Sequence, residues 1–158
     1  MKIRLLATLV LSSLGFAVSL YLLSVHWGWW QVACFGVGEC ELVNASRYSE
    51  LLGIPVALLG AFTYLSVGLS SMLIWRGVLA DHAARAQFFL AMLGIAVSAY
   101  LTAIELFVLH AICPWCVSSA IFITLIGVMS LWTLRDLSAR KQDPMSGVSV
   151  APPTAMLL

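Results

Sequence analysis

Charged side chains are what this sequence has least of. Asp, Glu, Lys and Arg make up 9% of the 158 residues, against roughly 25% in an ordinary soluble domain. That shortage excludes a water-soluble globular chain. The net charge of +1 carries no argument about partners, and nucleic acid is not expected among them. Two cofactor signatures are also missing. Val117 follows Cys116 where an attached heme would need histidine. No glycine-rich dinucleotide fingerprint is present.

What is present is apolar length. Hydrophobic residues reach 62% and mean hydropathy is +1.03. The excess is gathered into four runs, at about residues 5–25, 54–75, 86–109 and 113–134, broken only by Glu105 in the third. A hydrocarbon core of ~30 Å needs roughly 20 apolar residues in a helix. The expected fold class is therefore an all-α membrane protein, a four-transmembrane-helix bundle occupying residues 1–142. Residues 143–158 read as a disordered cytoplasmic tail of Pro, Ser, Gly and Val.

The few charges are unevenly placed. Lys2, Arg4, Arg76, Arg85, Arg135, Arg140 and Lys141 flank the runs on one side, and only Arg47 falls on the other. The positive-inside rule then places both termini in the cytoplasm of a plasma (inner) membrane, multi-pass. The 26–53 loop and the Cys113 turn face outside, where disulfides persist. All six tryptophans sit at run ends, as interfacial belts do. The first run is too long for a typical signal peptide and lacks a clear cleavage site. Cys34 lacks the upstream residue of a lipid-modified cysteine.

Small residues mark candidate helix contacts. They are Ser12, Gly15 and Ser19 in the first run, Gly60, Tyr64 and Gly68 in the second, and Gly94, Ser98 and Thr102 in the third. All three stripes read as packing. Residues 44–52 read as a short outer-face lid helix, capped by Asn44 and stopped by Gly53. Pro55 suits the first turn of the second span. Residues 76–85 read as a short basic inner loop. Gly36 and Gly38 suggest a pliable segment between Cys34 and Cys40.

Chemistry resides in the cysteines. Cys34 and Cys40 share the outer loop, and Cys113-Pro114-Trp115-Cys116 opens the fourth span. Four cysteines allow three pairings. Cys113 belongs near the helix N-cap, Pro114 at the first position and Cys116 in the first turn. Free N–H groups and the helix dipole favour thiolate there. Thiolates exchange with disulfides, so two pairs within reach form a relay from a protein outside to an acceptor in the membrane. A lipid-soluble quinone is the economical acceptor. The plainer readings are a non-catalytic scaffold with structural disulfides and a thiolate-based metal transporter. The first is weakened because a Cys-x-x-Cys bridge closes too small a loop to stabilise much. The second needs four converging thiolates.

Other candidates lie nearby. Glu105 is an ionisable group inside a span, either a proton carrier or an interfacial partner of His110 or Arg47. His110 reads as an interfacial histidine with an acid–base role as the alternative. Tyr64 reads as packing or a buried hydrogen bond before catalysis. His26 and Trp27 read as anchors.

The order Cys34/Cys40, Ser46, Gly60, Tyr64, then Glu105-Leu-Phe and Ala111-Ile-Cys113-Pro-Trp-Cys116 resembles the bacterial-type vitamin K epoxide reductase family, over about residues 5–135, without a fused thioredoxin-like domain. The resemblance implies a helix bundle around a quinone, ubiquinone or menaquinone. It implies that Cys116 meets the quinone, that Cys113 resolves it and exchanges with Cys40, and that Cys34 exchanges with an extracytoplasmic thioredoxin-like oxidoreductase acting in trans. Ser46 would hydrogen-bond within the site. Two departures stand out: Val56 and Ala120 occupy positions where vertebrate members carry a polar asparagine and tyrosine. Simple quinone reduction during disulfide formation is then favoured over epoxide reduction.

Overall fold

The computed structural model describes residues 2–31, 33, 40–51 and 53–142; of residues 47 and 140–142 only the backbone is described. In chain order the elements are α1 (Lys2–His26), α2 (Cys40–Asn44), a 3-10 turn (Arg47–Ser49), β1 (Glu50–Leu51), β2 (Ile54–Pro55), α3 (Val56–Trp75), α4 (Ala80–Ile104), a π-helical turn (Glu105–Leu109) and α5 (Pro114–Gln142). Four helical segments are long and apolar enough to cross a membrane: Lys2–His26, Val56–Trp75, Ala80–Leu109 and Pro114–Ala139. The protein is an all-α, multi-pass membrane protein.

The bundle is apolar outside and small or polar within. On α1 the buried positions are Leu5, Thr8, Ser12, Gly15, Ser19 and Leu23. They recur every three or four residues, the repeat of helices packed at a shallow left-handed angle. Phe62, Leu69, Phe89 and Phe107 are exposed on the outer surface. In lipid there is no hydrophobic gain in hiding leucine from solvent, so close backbone approach decides the interfaces.

The α1–α3 contact shows how. A Cβ on Gly15 would overlap the Tyr64 ring, one on Gly60 would lie 2.9 Å from Ser19 Oγ, and one on Gly68 would lie 3.1 Å from Ser12 Oγ. The two small-residue stripes read from the sequence thus face each other, running antiparallel. α4 packs between α3 and α5, and α1 closes the ring against α5. Tyr64, Val67, Ala91, Ile123 and Ile126 form the central core. Leu5, Ile74, Ala83 and Ala84 form a second cluster at the end away from the cysteines.

Polar groups tie the same layers together. Ser71 Oγ lies 3.1 Å from Gln87 Oε1, and Gln87 Nε2 donates to Ser130 Oγ at 2.9 Å. This fully buried chain joins α3, α4 and α5. Arg4 pairs with Asp136 at 2.8 Å, joining α1 to α5.

Three expectations are corrected. Residues 44–52 are not a helix. Asn44 ends α2 instead of capping a helix, and Ser46 Oγ turns back to the Val43 carbonyl at 2.8 Å. A 3-10 turn follows, then a two-residue antiparallel pairing of β1 with β2 around Gly53 at φ +79°. Pro55 lies in β2 and caps α3 rather than entering it. Residues 76–85 are not all loop either, because α4 begins at Ala80 and Arg85 reaches Asp81 one turn earlier at 3.8 Å. The expectations about a pliable 36–38 segment and a disordered 143–158 tail lie outside the described residues.

Candidate functional site

The cysteine end of the bundle is built by a sharp reversal. α4 loosens into the π turn at Glu105, the kind of local insertion often found at functional positions. His110 then adopts the left-handed conformation at φ 51°. The backbone N–H groups of His110 and Ala111 both donate to the Glu105 carbonyl. The chain is thereby turned back at Ala111 and delivered to Cys113. Pro114, with no N–H to leave unsatisfied, starts α5. The Cys113 carbonyl accepts from Val117 N–H at 3.1 Å, so Cys113 stands at the N-cap.

Cys113 is buried and Cys116 half-buried, and both carry free thiols. The two thiols are in hydrogen-bond contact. The Cys116 thiol holds Cys113 at about 7, down from 9.0; burial opposes this, the N–H groups of Cys116 and Trp115 add to it, and the Glu105 charge opposes it. The Glu105 carboxylate, 4% exposed, accepts from Cys113 N–H at 3.1 Å. It also touches the Cys116 thiol. His110 is exposed, and Glu105 turns to the cysteine pair rather than to it.

Beside the pair lies a cavity of about 430 Å³, within the usual range for small-molecule sites. Glu105, Cys113 and Cys116 form one end of its wall. Val56, Leu59, Leu101 and Ile123 are among its apolar lining. Ser46 and Tyr48 reach it from the α1–α3 connection. Tyr64 lines it with its hydroxyl 2.8 Å from the Ser119 carbonyl and 2.9 Å from Ser119 Oγ.

Two features escaped the sequence. Ser98 and Thr102 line this cavity, so their stripe is part of the site and not only packing. Gly94 lines it too and also packs as expected, since a Cβ there would lie 2.7 Å from Ile123 Cγ1. The second feature is Ser119, which supplies a polar group one position before Ala120; from α5 the wall takes Cys116, Ser119 and Ile123. Val56 does line the cavity, as an apolar wall residue.

The connection between α1 and α3 is fastened to the same place. Ala33 N–H donates to Tyr21 Oη at 2.9 Å, and Trp115 Nε1 donates to the Ala33 carbonyl at 3.0 Å. The Tyr21 and Trp115 rings meet at 5.1 Å. His26 pairs with Glu50 at 3.2 Å, so it does more than anchor. Cys40 is fully buried at the start of α2 and is disulfide-bonded. Cys34 lies outside the described residues.

Residues 6–131 match the family described as "Vitamin K epoxide reductase family". The chain belongs to that family. It is accordingly a membrane thiol:disulfide oxidoreductase, of a family linked in general to quinones. The lining is compatible with an apolar ring bearing oxygens: most of it is apolar, and Ser46, Ser98, Thr102 and Ser119 are among its polar residues.

Proposed function

We propose that this protein is a plasma-membrane thiol oxidase that takes electrons from a thioredoxin-like partner and delivers them to a quinone. The observation that carries this reading is the position of Cys113 and Cys116. They sit at a helix N-terminus and line an apolar cavity among membrane-spanning helices.

A quinone supplies, when bound, a two-electron, two-proton acceptor. Cys116 is the thiol that faces it, and Cys113 is the thiol that closes the disulfide behind. The low value at Cys113 makes it nucleophilic near neutral pH. Such a thiolate is suited to exchange with the loop pair, Cys40 and Cys34. Cys34 then exchanges with the partner, which leaves oxidised and forms disulfides in exported proteins. Ser46 and Tyr64, both on the cavity wall, orient the acceptor. Ubiquinone and menaquinone are the two candidate acceptors. The positive flanks support an orientation with both termini in the cytoplasm and the cysteines outside.

The test is reconstitution of the purified full chain with a reduced thioredoxin-like protein and either quinone, following quinol formation. Wild-type protein turns over and Cys116→Ala does not. A Cys116→Ala protein that reduces quinone at the wild-type rate overturns the assignment. A mixed disulfide with the partner is expected at Cys34 when Cys40 is replaced by serine. A stable adduct at Cys113 instead reverses the order of the relay.

A further inference from the structure

We propose that Glu105 is the proton carrier of the Cys113/Cys116 pair, taking the Cys116 thiol proton as the disulfide closes and releasing it into the cavity. The proposal rests on the quinone reading of that cavity.

The argument begins with the cost of having Glu105 there. It lies within an apolar segment and is 4% exposed. A carboxyl in that setting is expensive unless paired or used. None of the ion pairs among the described side chains includes it. Its contacts are with the reacting centre: Cys113 N–H at 3.1 Å and the Cys116 thiol. The π turn sets this aim. Glu105 is its first residue, and its carbonyl holds the reversal that returns the chain to Cys113.

A purely structural acceptor for Cys113 N–H would not need a charge, because a glutamine oxygen would serve. A proton carrier must take up and give back a proton, which a carboxylate does and a glutamine amide does not. The other titratable groups on the cavity wall are Tyr48, Tyr64, Cys113 and Cys116; α1 contributes only Val18, Ser19 and Leu22.

The step balances. Two S–H bonds break and one S–S bond forms between Cys113 and Cys116. Two electrons and two protons pass to the quinone, giving the quinol. Glu105 gains the Cys116 proton as the disulfide closes, holds it while the cavity is empty, and gives it up to the reduced quinone.

The test uses two readouts on the full chain in lipid nanodiscs. The first is infrared difference spectroscopy between the reduced and oxidised cysteine pair, with no quinone present. A carboxyl C=O band that changes with redox state and vanishes in Glu105→Gln is expected. The second is quinol formation. Glu105→Gln should slow it on the order of 100-fold, with Glu105→Asp recovering much of the loss. A missing redox-linked carboxyl band, a band that persists in Glu105→Gln, or wild-type turnover by a folded Glu105→Gln protein overturns the proposal. If Glu105→Gln fails to fold, the wild-type spectrum and Glu105→Asp still decide it. A carboxyl band in a wild-type protein that reduces no quinone would overturn the quinone reading and leave Glu105 as the carrier.

Discussion

At Cys113 a hydrogen bond competes with burial, and the hydrogen bond prevails. The Cys116 thiol and two backbone N–H groups stabilise the Cys113 thiolate more than desolvation and the Glu105 charge disfavour it. With a value of about 7, the thiolate fraction rises as pH climbs through neutrality. At pH 7 it is near half, against roughly 1% for a thiol left at 9.0. Alkylation of Cys113, followed by mass spectrometry against pH, should show a midpoint near 7. Cys116→Ala removes the leading partner, so its midpoint should move up toward 9.0. An unchanged midpoint would show that the helix N-terminus alone sets the value. The position of this pair was legible in the sequence, because proline between two cysteines at the start of an apolar run marks a helix N-terminus. The role of Ser98 and Thr102 was not. A spacing of four says that residues share a face, but not whether a helix or a cavity lies opposite.

Elements came through unevenly, for a physical reason. Apolar runs report where hydrocarbon is, and helices do not stop there. α4 begins at Ala80 and carries Asp81 and Arg85 as an i,i+4 pair in its first turns, which hydropathy reads as loop. The lid was misread because Asn44 fits either end of a short helix. The fixed backbone of Pro55 and the left-handed Gly53 favour a tight turn over a continued helix. The facing stripes of α1 and α3 were legible singly, and their register was not. That register predicts a sharp failure. Gly15→Val drives a branched side chain into the Tyr64 ring. We expect a loss of about 1–3 kcal/mol, read as a lower Tm in detergent. Quinone reduction should fall with it, because Tyr64 is the residue that holds Ser119 at the cavity wall. A Tm equal to wild type would mean that α1 shifts freely on α3.

For the whole molecule, the proposed orientation rests on a handful of charges. Arg76 caps α3, Arg85 lies near the start of α4, and Lys2 and Arg4 begin α1. A reporter active only in the cytoplasm should work when inserted at Gly77 and fail at Gly28. The reverse result would turn the protein over and place both cysteine pairs in a reducing compartment, where an oxidase could not operate. Four spans and a cysteine end were legible at this scale because lipid imposes length and end chemistry on every helix. The inward face of each helix was harder to read, since serine, alanine and glycine look unremarkable until a neighbour is seen against them.

The Ser71–Gln87–Ser130 chain also bears on how the protein is made. Gln87 belongs to α4, and its two partners belong to the helices synthesised before and after it. While α5 is still inside the ribosome, the amide nitrogen of Gln87 has no Ser130 to receive it. A three-helix product therefore carries an unspent donor in hydrocarbon, which lipid cannot satisfy. Arrival of α5 removes that defect, and the same helix brings Cys113 and Cys116 to the opposite end of the bundle. The partner of the Gln87 amide and the redox pair thus depend on one and the same helix, α5.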